Sequence, residues 1–191
     1  SLFQEEPSFA FGRAYQAGKN RIGFGYTGNS DIEIILDTEV SDSFTSVVTH
    51  DQKTDTLYYW FNGIETDSLL FTLRHDTLTK AYSYRTRKAT ADSLTITFDP
   101  KGTLQLADTL KIRTNTPIRR FFQDSISLLD KDSLAVPFTI VQKYKHELVM
   151  QFDVFPSEKY DVTFLPGAIT DFFGVTNDTL AAKLATKSRV D

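Results

Sequence analysis

The sequence predicts an all-β protein made of two antiparallel β-sandwiches in tandem, on three observations. A phrase of Asp, then Ser or Thr, then Leu recurs at Asp55, Asp67, Asp76, Asp92, Asp108, Asp132 and Asp178, with near variants at Asp42 and Asp124. Asp and Ser/Thr bond their own backbone and favour turns, and a large apolar residue followed by alternation reads as a strand entering a core. Period-2 alternation of apolar and polar residues runs through most of the chain. Sixteen Phe and eight Tyr against one Met and one Trp fit strands, where aromatic side chains pack across a sheet.

In the first half, Ile22, Phe24 and Tyr26 alternate with Gly23, Gly25 and Thr27, giving a strand with one large face and one thin face. The thin face implies a close approach or a bulge. Ile32, Ile34 and Leu36 repeat the pattern after the turn at Gly28-Asn29-Ser30. In residues 55–61, Leu57, Tyr59 and Phe61 take one face while Tyr58 and Trp60 take the other. Asn62-Gly63 is a hairpin-type dipeptide, leading through Glu65 to Leu69, Phe71 and Leu73, and a strand over 78–86 follows.

The polar stretch Arg85-Thr86-Arg87-Lys88-Ala89-Thr90-Ala91 places a domain boundary at about residue 90, giving domains 1–90 and 91–191. The second series is Leu94/Ile96/Phe98, Leu104/Leu106, Leu110/Ile112, Ile126/Leu128, Val136/Phe138/Ile140, Leu148/Met150/Phe152, Tyr160/Val162/Phe164 and Leu180/Ala182/Leu184. Turn signals every ~8–12 residues are the rhythm of a β-sandwich. Residues 178–187 carry helix formers but alternate, and the expectation is a strand.

Composition narrows the function classes. The 191 residues carry 21 basic and 25 acidic side chains, intermixed, for a net charge of −4, so no basic stripe for nucleic acid is present. With no Cys, thiolate metal sites and cysteine nucleophiles are excluded. No apolar run approaches the ~20 residues that span a bilayer. The start, Ser1-Leu2-Phe3-Gln4-Glu5-Glu6, is neither an initiator Met nor a signal peptide, and reads as a piece of a longer protein whose signal and anchor lie upstream.

The stretch Tyr160-Asp161-Val162-Thr163-Phe164-Leu165-Pro166-Gly167-Ala168-Ile169-Thr170-Asp171-Phe172-Phe173-Gly174, followed by Asn177-Asp178-Thr179-Leu180, resembles the closing strands of the bacterial Ig-like domains of S-layer and cell-envelope proteins. Residues 114–118 and 124–128 look like the opening strands of the same family, and the resemblance covers about residues 100–186. It implies an Ig-like fold for the second half and a diverged Ig-like sandwich for the first. It further implies a multidomain cell-envelope lipoprotein, periplasmic or outer-membrane anchored, whose domains act as spacers or as adhesive modules. The implied partners are other envelope proteins or neighbouring Ig-like domains.

No residue pattern points firmly to chemistry. His50, His75 and His146 lack the convergent spacing of zinc ligands and read as turn or strand-edge residues. Asp124, Asp130 and Asp132, and separately Asp171, Asn177 and Asp178, are weak calcium candidates, since calcium takes six to eight oxygens and no EF-hand pattern occurs. The competing reading makes these acids turn formers. No Gly-x-Ser-x-Gly elbow is present, and no cofactor or catalytic residue is expected. The best ligand-binding candidates are aromatic: Tyr58 and Trp60, extended by Tyr82 and Tyr84, as a platform for a sugar ring or a partner. Against it stands burial of both faces of that strand, which is the favoured reading. Arg85, Arg87, Lys88, Arg119 and Arg120 read as solvated linker and strand-edge residues.

Overall fold

Strands dominate the computed structural model, which describes residues 8–63 and 66–188; helix among them is limited to a 3₁₀ turn at Gln123–Ser125. The chain forms two units, one running to Asp92 and the other beginning at Ser93.

Among the described residues, the first unit has seven strands: β1 (Ala10–Gly18), β2 (Arg21–Thr27), β3 (Glu33–Leu36), β4 (Thr45–Asp51), β5 (Thr56–Asn62), β6 (Ser68–His75) and β7 (Leu78–Arg85). They pair as one sheet in the order β1-β2-β5-β4 and another in the order β3-β6-β7, every pair antiparallel. Lettered A to G along the chain, these are the ABED and CFG sheets of an Ig-like sandwich. Register puts Ile22 opposite Tyr59 and Phe24 opposite Leu57, so one face of β2–β5 is continuously apolar. That face meets Leu69, Phe71 and Leu73 of β6, all fully buried. Phe71 sits edge-on to both Phe24 and Tyr59, with centroids 5.4 and 5.0 Å apart. Such geometry adds about 0.5–1.5 kcal/mol per pair beyond area burial.

The second unit contains β8 (Ile96–Asp99), β9 (Leu110–Thr114), β10 (Ile118–Phe121), β11 (Ile126–Leu129), β12 (Thr139–Tyr144), β13 (Glu147–Gln151), β14 (Lys159–Phe164), β15 (Ile169–Asp171) and β16 (Leu180–Ala185). Its sheets run β8-β9-β13-β12 and β11-β14-β16, again the ABED and CFG orders, and β10 with β15 forms an added two-stranded ribbon. The core is mostly aliphatic, with Leu110, Ile112, Leu148 and Met150 from one sheet meeting Val162, Phe164 and Leu184 from the other. Tyr160, at the start of β14, is buried and accepts a hydrogen bond on its hydroxyl from the Phe155 N–H at 2.9 Å. This is the tyrosine corner of Ig-like domains, in which strand F is tied back to the chain entering it.

The recurrent phrase introduces β5, β6, β7, β9 and β16, which begin within two residues of Asp55, Asp67, Asp76, Asp108 and Asp178. Residues 178–187 hold a strand, not a helix. At Asp92 and Asp132 the phrase starts no strand, and Leu134 is well exposed. Asn62-Gly63 does not close a hairpin, because β5 pairs with β2 and β4 whereas β6 pairs with β3 and β7. Gly63 does take a positive φ of 80°, and a side chain there would meet the Ser43 carbonyl. Glu65 lies outside the described residues. Leu104 is buried but Leu106 is exposed in a turn, so the strand expected there is reduced to one parallel bridge between Thr103 and Ala185. Strands β1 and β4 have no clear alternation in sequence; both are sheet edges, where one flank needs no partner.

Candidate functional site

The aromatic candidates fall on two different surfaces. Because Leu57, Tyr59 and Phe61 face the core, Tyr58 and Trp60 stand on the outer face of the β1-β2-β5-β4 sheet. Cross-strand register brings Gly23 opposite Tyr58 and Arg21 opposite Trp60. The missing side chain at Gly23 is what assembles the cluster. The Tyr15 ring of β1 lies across it, so close that a Cβ at Gly23 would sit 2.5 Å from the Tyr15 Cζ. The Tyr15 and Tyr58 hydroxyls are 3.4 Å apart. Their contact, followed by burial, raises the Tyr58 phenol above its ordinary value.

Trp60 is 1% exposed although it is on the outer face. Its indole N–H donates to Thr49 Oγ1 at 2.9 Å. The Arg21 guanidinium stacks over the Trp60 and Tyr58 rings, 4.8 and 5.2 Å from their centroids. Arg21 also donates to the Ala17 carbonyl at 2.6 Å and lies 3.7 Å from the Asp92 carboxylate. A cation held over two rings covers the Trp60 indole, while Arg21 and Tyr58 themselves are half-buried. No flat indole face remains for a sugar.

Tyr82 and Tyr84 do not join that cluster. Both are on β7 opposite Phe71 and Leu69, so they point between the sheets of the first unit. The Tyr82 hydroxyl donates to the Gly12 carbonyl at 2.8 Å, and its ring meets Phe24 edge-on. The Tyr84 hydroxyl is buried without a hydrogen-bond partner among the described residues. Burial raises both phenols. The four residues therefore form half of an outer cluster and half of an inner seam, and period-2 reading of β5 alone had no access to the strand register that separates them.

The calcium candidates of the closing loop are committed to the backbone. Asp171 is fully buried: Oδ1 accepts from the Phe173 and Val175 N–H groups at 2.9 and 2.8 Å, and Oδ2 from the Thr116 hydroxyl at 2.9 Å. Asn177, also buried, accepts from the Ile169 N–H at 2.8 Å and donates to the Leu165 and Asp178 carbonyls. Asp130 is used similarly, accepting from the Asp132 and Leu134 N–H groups at 2.9 and 3.0 Å. Asp124 lies in the 3₁₀ turn and Asp178 is exposed. Among the described residues, no three His, Asp or Glu side chains converge as a metal site would require.

The histidines are engaged locally. His50 bonds the Tyr26 hydroxyl, and His75 bonds the Asn29 side chain at 2.7 Å while stacking on Phe9. His146 Nδ1 lies 3.1 Å from the Thr114 carbonyl. Arg87 is less free than a solvated linker implies, since its main chain exchanges two hydrogen bonds with the Gln16 amide. Sequence reading missed Tyr15, Arg21, Thr116 and the corner role of Tyr160. The glycine at 23 was the available signal for the first of these.

No family model and no curated protein matches the chain. Among solved structures it is similar to domains 5-6 of the S-layer protein SbsC at 10% identity, covering 94% of this chain and 99% of that one, with a TM-score of 0.34. Domains 4-9 of the same protein match at 11% identity over 94% and 32% of the two chains, TM-score 0.33. A titin fragment, domains A168-A170, matches at 9% identity over 97% and 67%, TM-score 0.32. Likenesses this distant carry no weight on their own. The class is defined by the strand orders: two Ig-like β-sandwiches in one chain.

Proposed function

We propose that the chain is a non-catalytic spacer and interaction segment of a multidomain bacterial cell-envelope protein. One observation carries the reading: the side chains that looked available for chemistry are committed to architecture. Asp171 and Asn177 staple the closing corner, and Trp60 is sealed by Arg21 and Thr49. The function left to such a molecule is geometric, with sheets that hold a spacing and present loops and edges. The envelope location rests on the resemblance of residues 100–186 to S-layer-type Ig-like domains.

Trp60 is the sole tryptophan, so its emission reports the outer cluster of the first unit. The expected spectrum is blue-shifted and unchanged by a panel of plant and bacterial glycans at millimolar concentration, with no hydrolytic activity on them. A glycan that quenches the emission and raises the unfolding midpoint in proportion to its occupancy would replace the spacer reading with a binding module centred on Tyr58 and Trp60.

A further inference from the structure

The outer edge of β16 is only partly covered among the described residues. A shallow groove of about 300 Å³ lies between the edge strands β8 and β16, with Ile96 and Phe98 on one side, Ala182 and Leu184 on the other, and Lys101 and Lys183 on its rim. Among the described residues, no acidic side chain lines it.

The backbone alongside is incomplete in a way that selects a strand as the occupant. The Ala185 N–H donates to the Gly102 carbonyl and its own carbonyl accepts from the Leu104 N–H, so Ala185 directs its main-chain groups away from β14. By the two-residue alternation of an antiparallel ladder, Lys183 and Ala181 direct theirs the same way. Nothing among the described residues pairs with them. Residues 103–104 thus complete one step of an added strand, and the next two steps stand open beside an apolar groove. An exposed run of unpaired N–H and C=O groups is the template for β-augmentation.

We propose that this edge binds an extended peptide segment in which small β-branched residues alternate with acidic ones. The main chain of the segment would continue the pairing at Ala181 and Lys183, its apolar side chains would enter the groove, and its carboxylates would meet Lys101 and Lys183. Asp161 sits opposite Lys183 on β14 and partly offsets that lysine, so Lys101 is expected to contribute more of the charge preference. The inference deepens the reading of the chain as an interaction segment. Its failure would leave the spacer role intact, because that role needs no peptide.

The probe is a fluorescein-labelled, end-capped peptide of about eight residues alternating Val with Glu, and its counterpart alternating Val with Lys, titrated into the whole chain at low salt. Saturable anisotropy for the Glu peptide, at least ~10-fold tighter than for the Lys peptide, is the expected result, with amide shifts in NMR spectra at Ala181 and Lys183. The double variant Lys101→Glu, Lys183→Glu should reverse the preference. Lys183→Pro removes one edge donor and should abolish binding; a melting curve establishes that this variant is folded, and the charge-reversal pair decides the matter if it is not. Equal affinity for the two peptides, shifts centred on another edge such as β12, no binding, or self-association through β16 in place of peptide binding would each overturn the proposal.

Discussion

Two turns in the second unit are built on one plan and buried to different depths. In residues 130–134 the Asp130 carboxylate accepts the N–H groups two and four residues on, the Asp130 N–H donates to the Leu134 carbonyl, and Ser133 takes a φ of 60°. In residues 171–175 the Asp171 carboxylate accepts the same two N–H groups, the Asp171 N–H donates to the Val175 carbonyl, and Gly174 takes a φ of 84°. Isolated antiparallel bridges, Leu129 with Ala135 and Thr170 with Thr176, flank the two turns. The difference is the third bond. Asp171 is fully buried and reaches Thr116, a residue 55 positions away, whereas Asp130 is half-buried and, among the described residues, bonds within its own loop. One hydrogen-bond scheme thus serves as a local turn in one place and as a long-range staple in the other.

The largest expected effect breaks the staple. Asp171→Ala leaves the buried Thr116 hydroxyl without its acceptor and strips two partly exposed N–H groups of theirs, and should destabilise the second unit by about 2–4 kcal/mol. Asp171→Asn can accept the same two N–H groups and donate to Thr116, so it should cost about 1 kcal/mol. Asp130→Ala, where water can replace the lost carboxylate, should cost about 1 kcal/mol. Far-UV circular dichroism in denaturant follows both units and Trp60 emission follows the first alone, so the transition seen by dichroism and not by Trp60 belongs to the second unit and is the one that should move, while the Trp60 transition stays in place. Equal losses at 130 and 171 would erase the distinction drawn between the two turns.

A smaller effect tests the shared backbone plan. Ser133 occupies the left-handed region where Gly174 stands in the buried turn, and nothing lies within 4 Å of a side chain built on Gly174. Steric contact is therefore removed from the comparison, leaving conformational preference alone. Ser133→Gly should stabilise by up to ~1 kcal/mol and Gly174→Ser should destabilise by ~1–2 kcal/mol. A stabilised Gly174→Ser variant would mean that the two loops do not share a backbone geometry in solution.

Alkaline pH should separate the two units next. Burial raises the phenols of Tyr59, Tyr82 and Tyr84, as it does Tyr26, and Tyr58 is raised chiefly by Tyr15; all five lie in the first unit, against Tyr160 in the second. A phenol whose folded value lies above its unfolded value of 10.0 contributes stability that is fully present below pH 10 and is lost as pH rises through the folded value. The Trp60 midpoint should therefore fall ahead of the second unit's as pH rises above 10.0. A second unit that unfolds first would show that Tyr160 alone outweighs the five.

Much of the fold was legible because alternation survives wherever one strand face is buried. Ile22/Phe24/Tyr26, Leu69/Phe71/Leu73 and Tyr160/Val162/Phe164 are core faces in the structure, as their spacing implies. The edge strand β1 was not legible because half-burial on both faces leaves little pattern, and β4 was not because its burial alternates without its polarity: Thr49 and Asp51 share the more covered face and Val48 is exposed. Sequence could pair Tyr58 with Trp60 on one face, yet not show that Arg21 and Tyr15 would cover them. That depends on register between β1, β2 and β5, which no single strand encodes. Asp171 was noticed for its charge, but its partner Thr116 is brought to it by the fold.

The smallest expected effect concerns calcium, and it bears on the comparison of the turns. A cation at residues 171–178 would have to displace two N–H donors and a hydroxyl from the fully buried Asp171, and the Ile169 N–H from the buried Asn177. Losing those bonds costs more than one or two new oxygen ligands return, since calcium needs six to eight. At residues 130–132 the Asp130 and Asp132 carboxylates are accessible, so weak screening of like charge is the most a cation can do there. Melting temperatures in millimolar calcium and in chelator should agree within about 1 °C for the native chain, and Asp130→Ala should not change that. A calcium-dependent rise that Asp130→Ala abolishes would move metal binding to the exposed turn; one that Asp171→Asn abolishes would mean the buried staple opens to admit the ion.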